Sequence, residues 1–286
     1  MNRNILILLL CTGLSACGGE GPGAEGGSGD TAIADSAPRE VHFTATDFAF
    51  QGPQTIEAGL VTLALSNEGE TLHHLQLVRL PENMSMAEFQ QAMSQMQPGT
   101  PPPPWFEEVG GVNPPTPGQP ARVTLHLEAG EYAVLCFVDT PDKVPHVMKG
   151  MLQPLTVTPS STPAAPLPES DLSLTLVDYA FSFSEPPTRG THVIRVENTA
   201  TQAHEIVLVR LLPEKTMDDL MAWAATYEGP QPFVPIGGVP GIESGQAVNV
   251  EVTFDEGDHV ALCFIPDATD GAPHIVHGMI LPFTVS

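Results

Sequence analysis

Apolar and polar residues alternate with a period of two along many short stretches of this chain. Val61-Thr62-Leu63-Ala64-Leu65, Val123-Thr124-Leu125-His126-Leu127, Val193-Ile194-Arg195-Val196 and Val248-Asn249-Val250-Glu251-Val252 are the clearest. A two-residue period places one set of side chains on a buried face and the other toward water, so each stretch predicts a half-buried β-strand. Gly- and Pro-rich turns at regular spacing separate them, the pattern of a β-sandwich. Two stretches switch to helical spacing. Ser85-Met86-Ala87-Glu88 and Thr216-Met217-Asp218-Asp219 have the form of a capping box, which predicts a helix start at each. The helices should stop near Gln97-Pro98-Gly99 and Gly229-Pro230. Met86, Phe89, Met93 and Met96 fall on one helical face, which reads as a packed apolar stripe.

The pattern occurs twice. Phe48, Asn67, His73 and Arg79 recur at one constant spacing as Tyr179, Asn198, His204 and Arg210. Gly111, Gly130 and Cys136 recur as Gly238, Gly257 and Cys263, and His146 and Met151 as His274 and Met279. Two copies are therefore expected, at residues 39–158 and 170–286, with a Pro/Ser/Ala-rich linker over 159–169.

Composition narrows the function classes. The 286 residues include 34 acidic and 10 basic side chains, for a formal charge of -24. Phosphate binding needs clustered Lys and Arg, so nucleic acid is not an expected partner. The N-terminus reads as an export signal over residues 1–16: Arg3, an apolar run from Ile5 to Leu10, then Leu14-Ser15-Ala16-Cys17. That last motif resembles the lipobox of bacterial lipoproteins, which implies cleavage before Cys17 and lipid on its sulfur. Residues 17–38 are rich in Gly, Ala, Ser and Asp and predict a disordered tether, with a coil reach of about 25 Å. The expected location is the bacterial cell envelope, outside the cytoplasm, with the membrane touched only through the lipid.

Cys11 leaves with the signal and Cys17 takes the lipid, so the mature chain keeps Cys136 and Cys263 for other roles. Exported cysteines often pair. These two occupy equivalent places in two copies, which favours two separate thiols over one disulfide.

The candidate chemistry follows. Each copy carries, at matching positions, a set of two histidines, a cysteine and a methionine: His73, Cys136, His146 and Met151, then His204, Cys263, His274 and Met279. Two imidazoles, a thiolate and a weak thioether suit a blue-copper centre. Strand periodicity puts His73 with Leu75 and Leu77, and His204 with Ile206 and Leu208, on the core side. His74 falls on the opposite face and is expected to meet solvent.

With these residues in place, Gly130–Met151 and Gly257–Met279 resemble the last strand and ligand loop of cupredoxins such as plastocyanin and azurin. The resemblance spans both copies. It implies an all-β fold of two Greek-key β-sandwich domains, each with a short helical insertion. It also implies one type-1-like copper per domain on the eight residues above. The Cys-to-His loops, with nine and ten intervening residues, are longer than in small members of that family.

Family members that are enzymes carry extra histidines beside the type-1 cysteine or in His-x-His pairs. The mature chain has no His-x-His, and Leu and Phe flank each cysteine. The expectation is a protein that is not an enzyme. It would be lipid-anchored and exported, and would carry electrons through copper to a redox partner protein. A metal-free binding module of the envelope and a copper storage or delivery protein are the alternatives.

Overall fold

The computed structural model describes residues 37–97, 100–114, 120–162, 165–226 and 228–286. The signal, Cys17 and nearly all of the tether lie outside the described residues. The rest forms one compact unit.

The first copy builds β1 (Arg39–Thr46), β2 (Ala49–Gln51), β3 (Thr55–Glu57), β4 (Gly59–Asn67) and β5 (Leu75–Arg79). Helix α1 (Met86–Gln95) follows, then β6 (Glu107–Val112), β7 (Ala121–Leu127), β8 (Gly130–Leu135) and β9 (Leu152–Thr158). The second copy repeats this as β10 (Leu172–Val177), β11 (Ala180–Phe183), β12 (Gly190–Asn198), β13 (His204–Leu211), α2 (Met217–Thr226), β14 (Phe233–Ile242), β15 (Ala247–Phe254), β16 (Gly257–Leu262) and β17 (Ile280–Val285). Among the described residues the fold is all-β apart from the two helices and one 3-10 turn at His146–Lys149.

Both helices start where the sequence places them. Ser85 and Glu88 cap each other reciprocally, and Thr216 and Asp219 do the same with the shorter acid. Each cap satisfies two N–H groups that the first helical turn would otherwise leave without partners.

Two mixed sheets face each other. One runs β11-β10-β12-β15-β7-β4-β1-β2, the other β17-β16-β13-β14-β6-β5-β8-β9-β3. The order is nearly palindromic, because the copies meet edge to edge. Val123 on β7 lies opposite Val250 on β15, its own counterpart in the repeat. The flanking pairs Arg122–Glu251 and Thr124–Asn249 exchange under the same local twofold relation. On the other sheet β6 joins β14 through Val109 and Ile242. Pairing these edges removes four rows of open backbone donors and acceptors.

The principal apolar cluster lies between the sheets and draws on both copies, including Phe43, Leu63, Leu125, Val250 and Phe254. Strands β7 and β10 keep the alternating burial expected of a half-buried strand. Strands β5, β8, β13 and β16 are buried almost throughout. Their outer face is covered by the helical insertions: Phe89 and Met93 of α1 pack on Val78, Ala133 and Leu135, and Leu220 of α2 packs on Val209, Val260 and Leu262. The methionine stripe of α1 is thus a packing surface.

Candidate metal centres

The ligand residues come from three places in each copy. His73 lies two residues before β5, and His204 opens β13. Cys136 and Cys263 sit just past the ends of β8 and β16, in the continuation of buried strands. The loop after each cysteine returns the second histidine and the methionine. Backbone bonds hold that loop: His146 N–H donates to Val138 O at 2.9 Å, Val147 N–H to Cys136 O at 2.8 Å and Met151 N–H to His146 O at 3.0 Å. In the second copy His274 N–H donates to Ile265 O at 2.9 Å and Met279 N–H to His274 O at 3.0 Å. Gly150 and Gly278, at φ 101° and 94°, let the chain turn back toward the methionine.

The donor atoms converge. His73 Nδ1 and His146 Nδ1 are 3.0 Å apart, and Cys136 Sγ is 3.5 Å from His146 Nδ1. In the second site Cys263 Sγ is 3.9 Å from His204 Nδ1 and 3.3 Å from His274 Nδ1. Two nitrogens and a sulfur bound to one metal at about 2.0–2.3 Å would stand roughly 3–4 Å from one another. The observed separations fit that requirement in both sites. His73, Cys136, His146, His204, Cys263 and His274 are all completely buried, as are Met151 and Met279, which join the cysteines in the same apolar cluster. Both cysteines are free thiols, not a disulfide.

The electrostatics prepare the donors. Burial pushes the Cys136 thiol up to about 12 and Cys263 well above its ordinary value. Backbone N–H groups of His74 and Val138, and of Glu205 and Ile265, oppose this by stabilising the thiolate. Burial lowers His146 and His274 to about 4, with the neighbouring ligand histidine adding to the effect. The imidazoles are therefore neutral ligands at neutral pH, and a metal entering the site displaces the thiol proton.

One turn in each copy serves both histidines. Asp47-Phe48 joins β1 to β2, and Asp178-Tyr179 joins β10 to β11. Asp47 Oδ1 lies 3.1 Å from His73 Nε2, and Asp178 Oδ1 lies 3.1 Å from His204 Nε2. A carboxylate can only accept here, so Nε2 carries the proton and Nδ1 presents its lone pair. The next residue covers the other histidine: Phe48 meets His146 edge-on at 5.1 Å between centroids, and Tyr179 meets His274 at 5.6 Å. Both aromatics have φ 63°, a conformation bulky residues rarely adopt. Its occurrence in both copies marks it as a built feature.

The structure corrects one expectation about this region. His74 is not solvent-facing: it is buried, and its Nε2 accepts the Phe137 N–H at 2.8 Å. Its counterpart Glu205 is buried too and accepts the Phe264 N–H at 2.8 Å. The face opposite the ligands is closed over because this sheet is covered on both sides. Sequence reasoning also passed over Asp47 and Asp178, although both precede the repeated pair Phe48/Tyr179. A further group, Asp267, Asp270 and His277, brings three metal-type side chains together. Asp267 is already occupied by Tyr179 Oη at 2.6 Å and Gln202 Nε2 at 2.9 Å.

The fold defined by this sandwich, with its two His/Cys/His clusters, is cupredoxin-like. No protein-family model matches the chain, and no curated protein matches it. Solved structures do. An auracyanin from Roseiflexus castenholzii is 20% identical, with 40% of this chain and 94% of that one covered and a TM-score of 0.28. A blue copper oxidase from Nitrosomonas europaea is 17% identical over 87% of this chain and 86% of that one, at a TM-score of 0.26. A copper nitrite reductase from the same organism is 13% identical over 87% and 94%, at 0.23. At these values the fold assignment rests on the strand order and clusters described above.

The matches correct the expectation of a protein that is not an enzyme. Oxidases and nitrite reductases, which are enzymes, stand among the similar structures.

Proposed function

We propose that this chain is an exported, lipid-anchored copper protein that passes single electrons through two type-1-like sites. The convergence of two Nδ1 atoms and one Sγ in each copy carries the reading. His73, Cys136 and His146 would hold one copper, with Met151 offering a weak thioether donor. His204, Cys263 and His274 would hold the other with Met279. Copper in such a site supplies a one-electron couple.

The chain's own part is to keep the donors in place. Backbone hydrogen bonds pin the ligand loop, Asp47 and Asp178 set the tautomer of the first histidine, and Phe48 and Tyr179 exclude water from the second. A site held this way by the fold changes little between oxidation states, which favours electron exchange with a redox partner protein. The strand-end position of each thiolate inside a buried cluster supports electron carriage over copper storage. Attachment to the envelope membrane rests on Leu14-Ser15-Ala16-Cys17, and the acidic surface suits a basic partner.

Copper titration of the purified mature chain, followed in the visible, tests this. Two equivalents should bind and give intense thiolate-to-copper absorption. A colourless protein after loading would defeat the proposal.

A further inference from the structure

The two sites are joined through the interior. His74 and Glu205 each follow a first ligand histidine, and each accepts the N–H of the residue after a ligand cysteine, at 2.8 Å. The ladder pair Leu75–Val112 brings Asn113 beside His74. Asn113 reaches into the other copy: its backbone N–H donates to Gly238 O at 3.3 Å and its Nδ2 to Ile206 O at 2.8 Å. Beyond it, the Glu205 N–H points to Cys263 Sγ at 3.5 Å. A buried route therefore runs from Cys136 through the Phe137 peptide, His74, Asn113 and the Glu205-Ile206 backbone to Cys263.

The two ends are unlike. Thr140 and Asp267 hold the same place in the ligand loops: Thr140 N–H donates to Val144 O at 3.0 Å and Asp267 N–H to Ala272 O at 2.9 Å. Thr140 is neutral. Asp267 is 2% exposed and accepts from Tyr179 Oη, Gln202 Nε2 and the N–H groups of Thr269 and Asp270. Four donors around a carboxylate favour its anion. Its Oδ2 lies 3.7 Å from His274 Nε2. In the first copy a cation, Lys149, sits near the site instead, 5.8 Å from the Phe48 ring centre, with Asp142 as its ion-pair partner. A buried negative charge stabilises the more positive, oxidised form of a metal centre, and a cation disfavours it.

We propose that the chain is an internal one-electron relay, in which the Cys263 site gives its electron to the Cys136 site along the Glu205–Asn113–His74 route. This rests on the copper reading of both sites. The step starts with the Cys263 site reduced and the Cys136 site oxidised. One electron moves, the Cys263 site is oxidised and the Cys136 site is reduced, and no bond or proton changes place.

The test uses the copper-loaded mature chain. Spectroelectrochemical titration, with Cys136→Ser and Cys263→Ser used to assign the bands, should give a lower midpoint for the Cys263 site. Asp267→Asn should raise that midpoint and leave the other in place. Thr140→Asp should lower the midpoint of the Cys136 site. After rapid one-electron reduction, exchange between the sites should slow at least tenfold in Asn113→Leu and in His74→Phe. Thermal unfolding of the metal-free variants verifies folding. Equal or reversed midpoints, or an unchanged exchange rate in both folded route variants, would overturn the relay. Loss of colour in the unaltered chain would overturn the copper reading instead.

Discussion

Asp47 Oδ1 lies 3.1 Å from His73 Nε2, on the side of the ring away from the converging donors. The pair orients the imidazole and fixes which nitrogen is free. Removing such a carboxylate typically weakens metal binding by about 10–100-fold. Asp47→Ala is therefore expected to lower affinity by that order at the first site only, and Asp178→Ala at the second. Competition against a copper chelator, read in the visible, measures both. Equal loss at the two sites from either single variant would contradict the assignment.

The sulfur atoms belong to separate clusters, so their loss should be separable. Cys136→Ser should remove about half of the visible band, because a hydroxyl is a hard, poor donor for this metal. Cys263→Ser should remove the other half, and the double variant should be colourless. Copper stoichiometry on the same samples should fall from two to one. A folded single variant with no colour at all would mean one shared site.

Glu108, buried beside Glu243 and Glu205, is pushed up to about 8 by desolvation and then by those neighbours. Below its ordinary value of 4.5 it is protonated whether folded or unfolded. As pH rises from there to about 8, the unfolded chain ionises first, so Glu108 lowers native stability across that window. Glu108→Gln should remove this slope. The metal-free variant should be more stable than the parent near pH 8, by on the order of 2–4 kcal/mol at most, with no gain near pH 4. Chemical unfolding at the two pH values decides it.

Gly111 and Gly238 are counterparts, with φ 148° and 127°. A Cβ at either would run into the carbonyl of the facing strand, Leu75 O or Ile206 O. Register shifts of the β5–β6 and β13–β14 ladders lie within a few residues of these contacts. Gly238→Ala should destabilise the fold by roughly 2–4 kcal/mol. Gly245→Ala, with open space around its Cβ, provides the comparison and should cost about 1 kcal/mol. Urea unfolding of both variants checks the ranking.

Cys17→Ala should leave the chain without its thioether lipid. Membrane-fraction signal should fall, and the mass of the mature protein should lose the lipid increment. A variant that stays membrane-bound with the same mass shift would refute the lipobox reading.

Much of the metal site was readable from the chain. Period-two alternation around His73 and His204, and the placing of Cys136 and Cys263 at strand ends, are local properties. They follow from backbone pleating and need no knowledge of the neighbours. Capping boxes at Ser85 and Thr216 are local for the same reason. His74 shows where this reasoning stops. Periodicity assigns it correctly to the face opposite His73, but which layer covers that face depends on the insertion bearing α1 and on Asn113, distant in sequence.

The sequence by itself determined the candidate donor set, its duplication and the strands that carry it, because those depend on residue type and short spacing. Tertiary structure decided the rest. It brought Asp47 to His73 and Asp178 to His204 across a sheet crossover, set Val123 against its own counterpart Val250, and threaded Asn113 between the two copies. These are contacts between segments far apart in the chain, chosen by which edges and faces remain to be buried once every strand has formed.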